Sequence, residues 1–168
     1  AVSADGKLST HAREPIEISG ESDFQRVDEL RAQSDAVMVG VGTVLADDPS
    51  LTVDDPVRTA IREADDRPIQ PARVIADSHG RTPLDARVLD DATRTYILIS
   101  EAAPQDRRTA LRETGAELVV SGERRVDIRA AVPRLESEGI DQLMVEGGGE
   151  LIASLFEEDL VDQLSVFV

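Results

Sequence analysis

Leu143-Met144-Val145-Glu146-Gly147-Gly148-Gly149-Glu150-Leu151-Ile152 reads as a β-strand that runs through three glycines into a helix. The strand is placed at 142–146 and the helix at 150–158. A strand that turns directly into a helix is the repeating unit of α/β folds. The same alternation extends outward from it. Short apolar blocks recur at Ala36-Val37-Met38-Val39, Val74-Ile75-Ala76, Tyr96-Ile97-Leu98-Ile99 and Leu118-Val119-Val120, with charges between them rather than inside them. They predict strands at 36–40, 73–77, 94–100 and 117–120. Residues 20–33 have helical spacing, with Ser19 as cap and Phe24, Val27 and Leu30 on one face. Gly40-Val41-Gly42-Thr43 is a turn-prone stretch, and Asp47-Asp48-Pro49 stops any helix by 47 or 48. A helix at 105–114 ends at Gly115. Another is capped by Asp127, carries Ile128, Ala131, Val132 and Leu135 on one side, and ends at Gly139. Residues 54–71, with Pro56, Pro68 and Pro71, predict a surface excursion with a helical turn around 57–64. A last strand is placed at 163–168. The chain is expected to be one α/β domain over 1–168, its mainly parallel central sheet flanked by helices. It opens on the loop-like Ser3-Ala4-Asp5-Gly6 and stops inside an apolar strand, so terminal strands look missing.

Composition narrows the function classes. Of 168 residues, 34 are acidic and 18 basic, a formal net charge of −16. Nucleic acid and anionic membrane surfaces call for basic patches, so both are excluded as partners. Disorder is excluded by an apolar content of 40% gathered in clean blocks. No apolar run approaches the ~20 residues of a membrane span, and no signal-peptide core opens the chain. There are no cysteines, which rules out disulfides and thiolate metal sites. Lys7 is the one lysine against 17 arginines. An acidic surface that uses Arg almost to the exclusion of Lys suggests adaptation to concentrated salt, where the Debye length shrinks to ~3 Å at ~1 M.

Several residues could carry chemistry. Three consecutive glycines between strand and helix exceed what a tight turn requires and favour an anion site on the helix N-terminus. The third glycine of the dinucleotide fingerprint is absent. Glu146, at the strand end beside the glycines, reads equally as a ligand or proton-transfer group and as a solvated strand end. Asp77 and Ser78 close another strand with the same two readings. Lys7 offers a compact titratable ammonium. Arg31, beside the apolar stripe of its helix, could reach a phosphate bidentately or simply snorkel. His11 and His79 are too few and too separated for a metal site. The Arg107-Arg108 and Arg124-Arg125 pairs read as solvated charge.

The longer motifs supply what spacing does not. Ser3-Ala4-Asp5-Gly6-Lys7, the Gly40–Val53 segment with its Asp47-Asp48-Pro49-Ser50-Leu51-Thr52-Val53 core, Asp77-Ser78 with Arg81–Leu89, Val145–Gly149 and Leu160–Leu164 occur in order over nearly the whole chain. Together they resemble the riboflavin-biosynthesis reductases that act on 2,5-diamino-6-(ribosylamino)-4(3H)-pyrimidinone 5′-phosphate, in the stand-alone form typical of archaea. The resemblance implies a dihydrofolate-reductase-like fold, NADPH as cofactor, a small phosphorylated pyrimidine substrate, a homodimer and a cytoplasmic location. It implies cofactor contacts at Thr43, Asp47 and Ser78 and along the glycine-rich stretch Gly147, Gly148, Gly149, Glu150 and Leu151. Arg81 is placed by position at the 2′-phosphate. Arg31, Leu51 and Glu146 match substrate contacts, and Lys7 and Glu146 are the candidates for proton transfer. Many bacterial members carry Arg immediately after Leu-Thr-Val, where this chain has Asp54; Arg58 is a possible replacement. Alternatives are a dihydrofolate or other pteridine reductase, and a non-catalytic NADPH-binding module.

Salt gives the first test. Thermal stability and apparent ligand affinity should rise as KCl is increased well beyond ordinary cytosolic levels. A melting temperature highest in dilute buffer would contradict the salt-adapted reading.

Overall fold

Short apolar blocks of three or four residues call for cover by helices, and five strands built on them stack side by side in the computed structural model, which describes residues 20–166. The strands are β1 (Ala36–Gly40), β2 (Ala72–Ala76), β3 (Thr95–Ile99), β4 (Glu117–Val120) and β5 (Leu143–Gly147). All pair in parallel, in the order β4-β3-β2-β1-β5. The helices are α1 (Glu21–Gln33), α2 (Val41–Asp47), α3 (Pro56–Ala64), α4 (Gln105–Glu113), α5 (Ile128–Ser137) and α6 (Gly149–Glu157). No helix among the described residues is long and apolar enough to cross a membrane.

Alternation along the strands sorts the core into two halves. Val37, Val39, Ile75, Ile97 and Ile99 face one side, under Val41 and Val44 of α2 and Leu111 of α4. Ala36, Met38, Val74, Tyr96 and Leu98 face the other, under Ile128, Ala131 and Leu135 of α5 and Leu151 and Leu155 of α6. The chain lays down β1 to β4 in one direction, then returns to place β5 on the far side of β1. Strand order therefore reverses between β1 and β5, and the crevice at the carboxyl ends there is where open α/β sheets bind ligands.

Four expectations need correction. The helix at 21–33 is capped at Gly20 with no side-chain bond, and Ser19 lies outside the described residues. Phe24 is exposed rather than sharing a buried face with Val27 and Leu30. The 54–71 stretch contains a full helix, α3, capped by Asp55 through Val57 N–H at 2.8 Å with Pro56 in its first turn. Its apolar residues point outward, Val57 being 65% and Ile61 55% exposed, while Arg62 points inward at 2%. Arg62 donates to the carbonyls of Ala32, Ser34 and Pro68, which ties α3 to the end of α1. Residues 163–166 form no strand: none of the described strands lies beside them, and Leu164 and Val166 are exposed. Residues 167 and 168 lie outside the described residues.

Asp35 fastens the amino ends of β1 and β5. Its carboxylate accepts from Gln142 N–H at 2.8 Å, Asp141 N–H at 3.1 Å and Arg67 at 2.8 Å. Burial alone would raise its pKa, but the Gln142 amide, Arg67 and the Asp141 amide outweigh that and hold it below the ordinary aspartate value. A lowered folded pKa contributes stability that is complete above the unfolded value and disappears as pH falls through the folded one. Asp35→Asn should therefore melt lower near neutral pH and lose less stability than the parent between pH 5 and the acid limit, measured as melting temperature against pH.

Candidate functional site

Two strand-to-helix turns meet at the reversal point. Gly40 ends β1 and caps α2; Gly147 ends β5 and Gly148 caps α6 with φ +97°. A Cβ on Gly148 would stand 3.1 Å from the Gly40 nitrogen, and one on Gly147 2.9 Å from Thr43 Oγ1. Two of the three glycines are thus required by the close passage of backbones and of Thr43. Gly149 is different: a Cβ there meets nothing within 4 Å. It opens α6, whose first-turn N–H groups have no intrahelical partner. This end of the helix can receive a phosphate oxygen, with exposed Glu150 the competing negative charge.

The register of β5 on β1 slips here. Met38 opposes Val145 and Val39 opposes Gly147, leaving Glu146 as the extra residue of a bulge. Its carboxylate meets Arg31 of α1 in a two-point fork, Nε to Oε1 at 2.6 Å and Nη2 to Oε2 at 2.7 Å. Arg31 Nη1 also donates to the Thr52 carbonyl at 2.8 Å. Both side chains are mostly buried, 17% and 15% exposed. Burial works against the Arg31 charge, but the hydrogen bonds and charge of Glu146, with Asp54 and Asp28 behind them, raise its pKa above the ordinary arginine value. The fork and the Thr52 bond together use three of the five N–H donors, and two have no partner among the described residues.

The other candidate residues differ in burial and in partners. Leu51 packs in the core at 1% exposure with φ +56°. Arg58, the possible replacement for the missing arginine at Asp54, is committed to Asp28 at 2.9 Å and Asp55 at 3.1 Å. Asp47 is exposed at the end of α2, one turn on from Thr43. Glu150 is exposed and Leu151 buried against the core. Lys7 and His11 lie outside the described residues.

The loop after β2 forms a second cluster on the same edge. Asp77 is fully buried, and its Oδ2 accepts from Thr82 N–H at 2.7 Å and Thr82 Oγ1 at 2.8 Å. Its Oδ1 has no hydrogen-bond partner among the described residues and faces exposed Arg81 at 3.9 Å. Ser78 Oγ accepts from Val126 N–H at 3.0 Å, joining this loop to the one after β4. The Arg107-Arg108 pair is not solvated charge. Arg107 donates to the Gly80 and Thr82 carbonyls, both at 2.7 Å, and Arg108 to those of Ser100, Glu101 and Ala103. Each stitches a loop at the carboxyl edge to α4, and no local spacing signals such reach. Among the described residues no group of three or more His, Cys, Asp and Glu is placed to hold a metal ion.

The RibD C-terminal domain family model matches residues 1–168. The 2,5-diamino-6-ribosylamino-4(3H)-pyrimidinone 5′-phosphate reductase of Archaeoglobus fulgidus is 46% identical over 167 residues, covering 99% of this chain and 76% of that protein. The reductase of the same name from Methanothermobacter thermautotrophicus is 47% identical over 168 residues, covering the whole chain and 74% of that protein. Among solved structures, Acinetobacter baumannii RibD superposes with a TM-score of 0.74 at 28% identity, over 96% of this chain. The chain spans 42% of that longer protein.

Two glycine substitutions separate packing from ligand binding. Gly148→Ala, forced into a positive φ against Gly40, should cost about 1–3 kcal/mol of stability. Gly149→Ala has room and should stabilise α6 by about 0.5–1 kcal/mol while weakening nucleotide binding. Denaturant unfolding and a nucleotide titration on each variant read out both effects.

Proposed function

The chain belongs to the RibD C-terminal domain family, and from that membership we propose that it reduces 2,5-diamino-6-ribosylamino-4(3H)-pyrimidinone 5′-phosphate in riboflavin biosynthesis, with NADPH as the reductant. It is an oxidoreductase of dihydrofolate-reductase-like architecture. The observation that carries the reading is the Arg31–Glu146 fork standing at the end of β5, next to the open turn at Gly149. One feature suits a substrate phosphate or ribose oxygen and the other the phosphates of a nucleotide.

The reaction opens the ribosylamine ring. The C1′–O4′ bond breaks, the exocyclic nitrogen gives up its proton as O4′ gains one, and a C1′=N imine results. Hydride then adds to C1′ and a proton to nitrogen, leaving the ribitylamine. When bound, the nicotinamide supplies that hydride. Thr43 and the turn from Gly147 to Leu151 would hold its phosphates, with Asp47 and Ser78 as further contacts and Arg81 at the 2′-phosphate. Arg31 would bind the substrate phosphate with its two free N–H groups. Glu146, with both oxygens engaged, fixes the direction of the guanidinium. That arrangement favours a positioning role for Glu146 and leaves Lys7 as the proton-transfer candidate. Holding the reacting atoms at near-attack distance is the main task of such a site.

We place the enzyme in the cytoplasm, in concentrated salt, as a homodimer; the outward Val57 and Ile61 of α3 offer apolar surface for a partner copy.

Mixing the protein with NADPH and the ribosylaminopyrimidinone phosphate should oxidise the nucleotide, seen as loss of reduced-nicotinamide absorbance. Arg31→Ala should raise KM for the pyrimidine about tenfold or more, the loss of a charged hydrogen bond, with little change in KM for NADPH. No oxidation of NADPH by the native protein would overturn the function. An unchanged KM in the variant would remove Arg31 from the phosphate.

A further inference from the structure

The Arg124-Arg125 pair remains unused by anything above. It sits in the turn after β4, at the same carboxyl edge as Ser78 and Arg81. The turn is closed from within: Asp127 N–H bonds the Ser121 carbonyl at 3.2 Å and Ser121 Oγ the Asp127 carbonyl at 2.8 Å. Gly122 has φ +81°, and a Cβ there would collide with the Arg125 carbonyl oxygen. From outside, Glu101 and Ala102 N–H groups bond the Gly122 and Glu123 carbonyls at 2.8 and 2.9 Å. The backbone that carries the two arginines is therefore fixed, while both side chains are exposed. Neither makes an ion pair or side-chain hydrogen bond with another described residue, unlike Arg107 and Arg108 across the edge.

The link to the cofactor side is Ser78. The hydroxyl oxygen accepts from Val126 N–H, the residue directly after the pair, so its own proton is free to be given to an anion. Arg81, 59% exposed at its side chain, stands in the same loop. A hydroxyl donor and Arg81 on one loop, and Arg124 and Arg125 on the other, stand on two loops joined by the Ser78–Val126 bond, on a chain of net charge −16. Arginine suits a phosphate monoester because its planar fork gives two parallel N–H groups to two oxygens.

We propose that Arg124 and Arg125, presented by the Ser121–Asp127 turn, read the 2′-phosphate of NADPH together with Ser78 and Arg81, and so set the preference for NADPH over NADH. This rests on the reductase reading and adds to it the residues that choose the nucleotide.

The test is a calorimetric titration of the whole protein with adenosine 2′,5′-bisphosphate and with AMP, which differ only in the 2′-phosphate. The native protein should bind the bisphosphate about tenfold tighter or more. The double variant Arg124→Gln, Arg125→Gln should lose most of that difference and keep its affinity for AMP, which also shows that it is folded. Arg112→Gln, an equal kind of charge change on α4 at the opposite edge of the sheet, should leave the preference intact. In turnover, the double variant should raise KM for NADPH with KM for NADH and kcat nearly unchanged. If the double variant keeps the native preference, the arginine turn is overturned and the NADPH reading stands. If the native protein shows no preference, the NADPH reading itself fails and this inference with it.

Discussion

A guanidinium donating to main-chain carbonyls is the contact on which this fold repeatedly depends. A parallel sheet satisfies its own strands but leaves the loops at both edges with carbonyls that need donors. Arg62 supplies them between α1 and α3, Arg107 and Arg108 between α4 and the carboxyl-edge loops, and Arg134 at Val120. Arg73 does so from inside β2 at zero exposure, donating to the Ser50 and Val88 carbonyls and pairing with Asp90 at 2.8 Å. Burial opposes the Asp90 charge, yet the Arg73 hydrogen bond, the Ala92 amide and the nearby arginine charges hold its pKa below the usual value. A lysine could not replace these groups, because one ammonium cannot span two or three carbonyls along a planar fork. The 17-to-one use of Arg over Lys, first read only as a surface trait, is thus in good part architectural.

The strands were legible because each carries a short apolar block, fully buried in β1 and β3 and half-buried in β4 and β5. The neighbourhood of β1 and β5 was not, since it arises from a return across the sheet that no local pattern encodes. Helix α3 was underestimated for the opposite reason. Its apolar residues face out and its arginine faces in, so hydrophobic spacing marks the wrong side. The strand expected at 163–168 had the right composition, but a strand is defined by its neighbour and none of the described strands provides one for residues 163–166.

At the site, two of the three glycines have a packing reason that the sequence does not show. Gly147 and Gly148 are small because Thr43 and Gly40 press against them, which leaves Gly149 as the position free to face a ligand. Arg31 and Glu146 are 115 residues apart and no spacing joins them; only the resemblance put both at the substrate. Their fork depends on the bulge that frees Glu146 from the sheet register, a feature set by the pairing of β5 with β1. The two arginine dipeptides carry the sharper lesson. Arg107-Arg108 and Arg124-Arg125 look alike as sequence, yet one pair is held by backbone carbonyls and the other stands exposed on a rigid turn. The difference lies in tertiary reach, not in composition.

The net charge of −16 and the anionic ligands are compatible because the two act over different distances. Repulsion among exposed carboxylates acts across the surface and is screened once the Debye length falls to ~3 Å near ~1 M salt. The Arg31–Glu146 fork operates at 2.6 to 2.7 Å, and the Arg107 contacts at 2.7 Å, in places where little solvent enters. Partly buried pairs are screened far less than exposed ones. Concentrated salt would therefore quiet the acidic surface while leaving the guanidinium contacts that hold the loops and shape the site. An exposed pair such as Arg124-Arg125 lies between these limits. Its attraction for a phosphate must come from direct bidentate contact rather than from long-range field, which is the task for which a fixed turn and an arginine fork are suited.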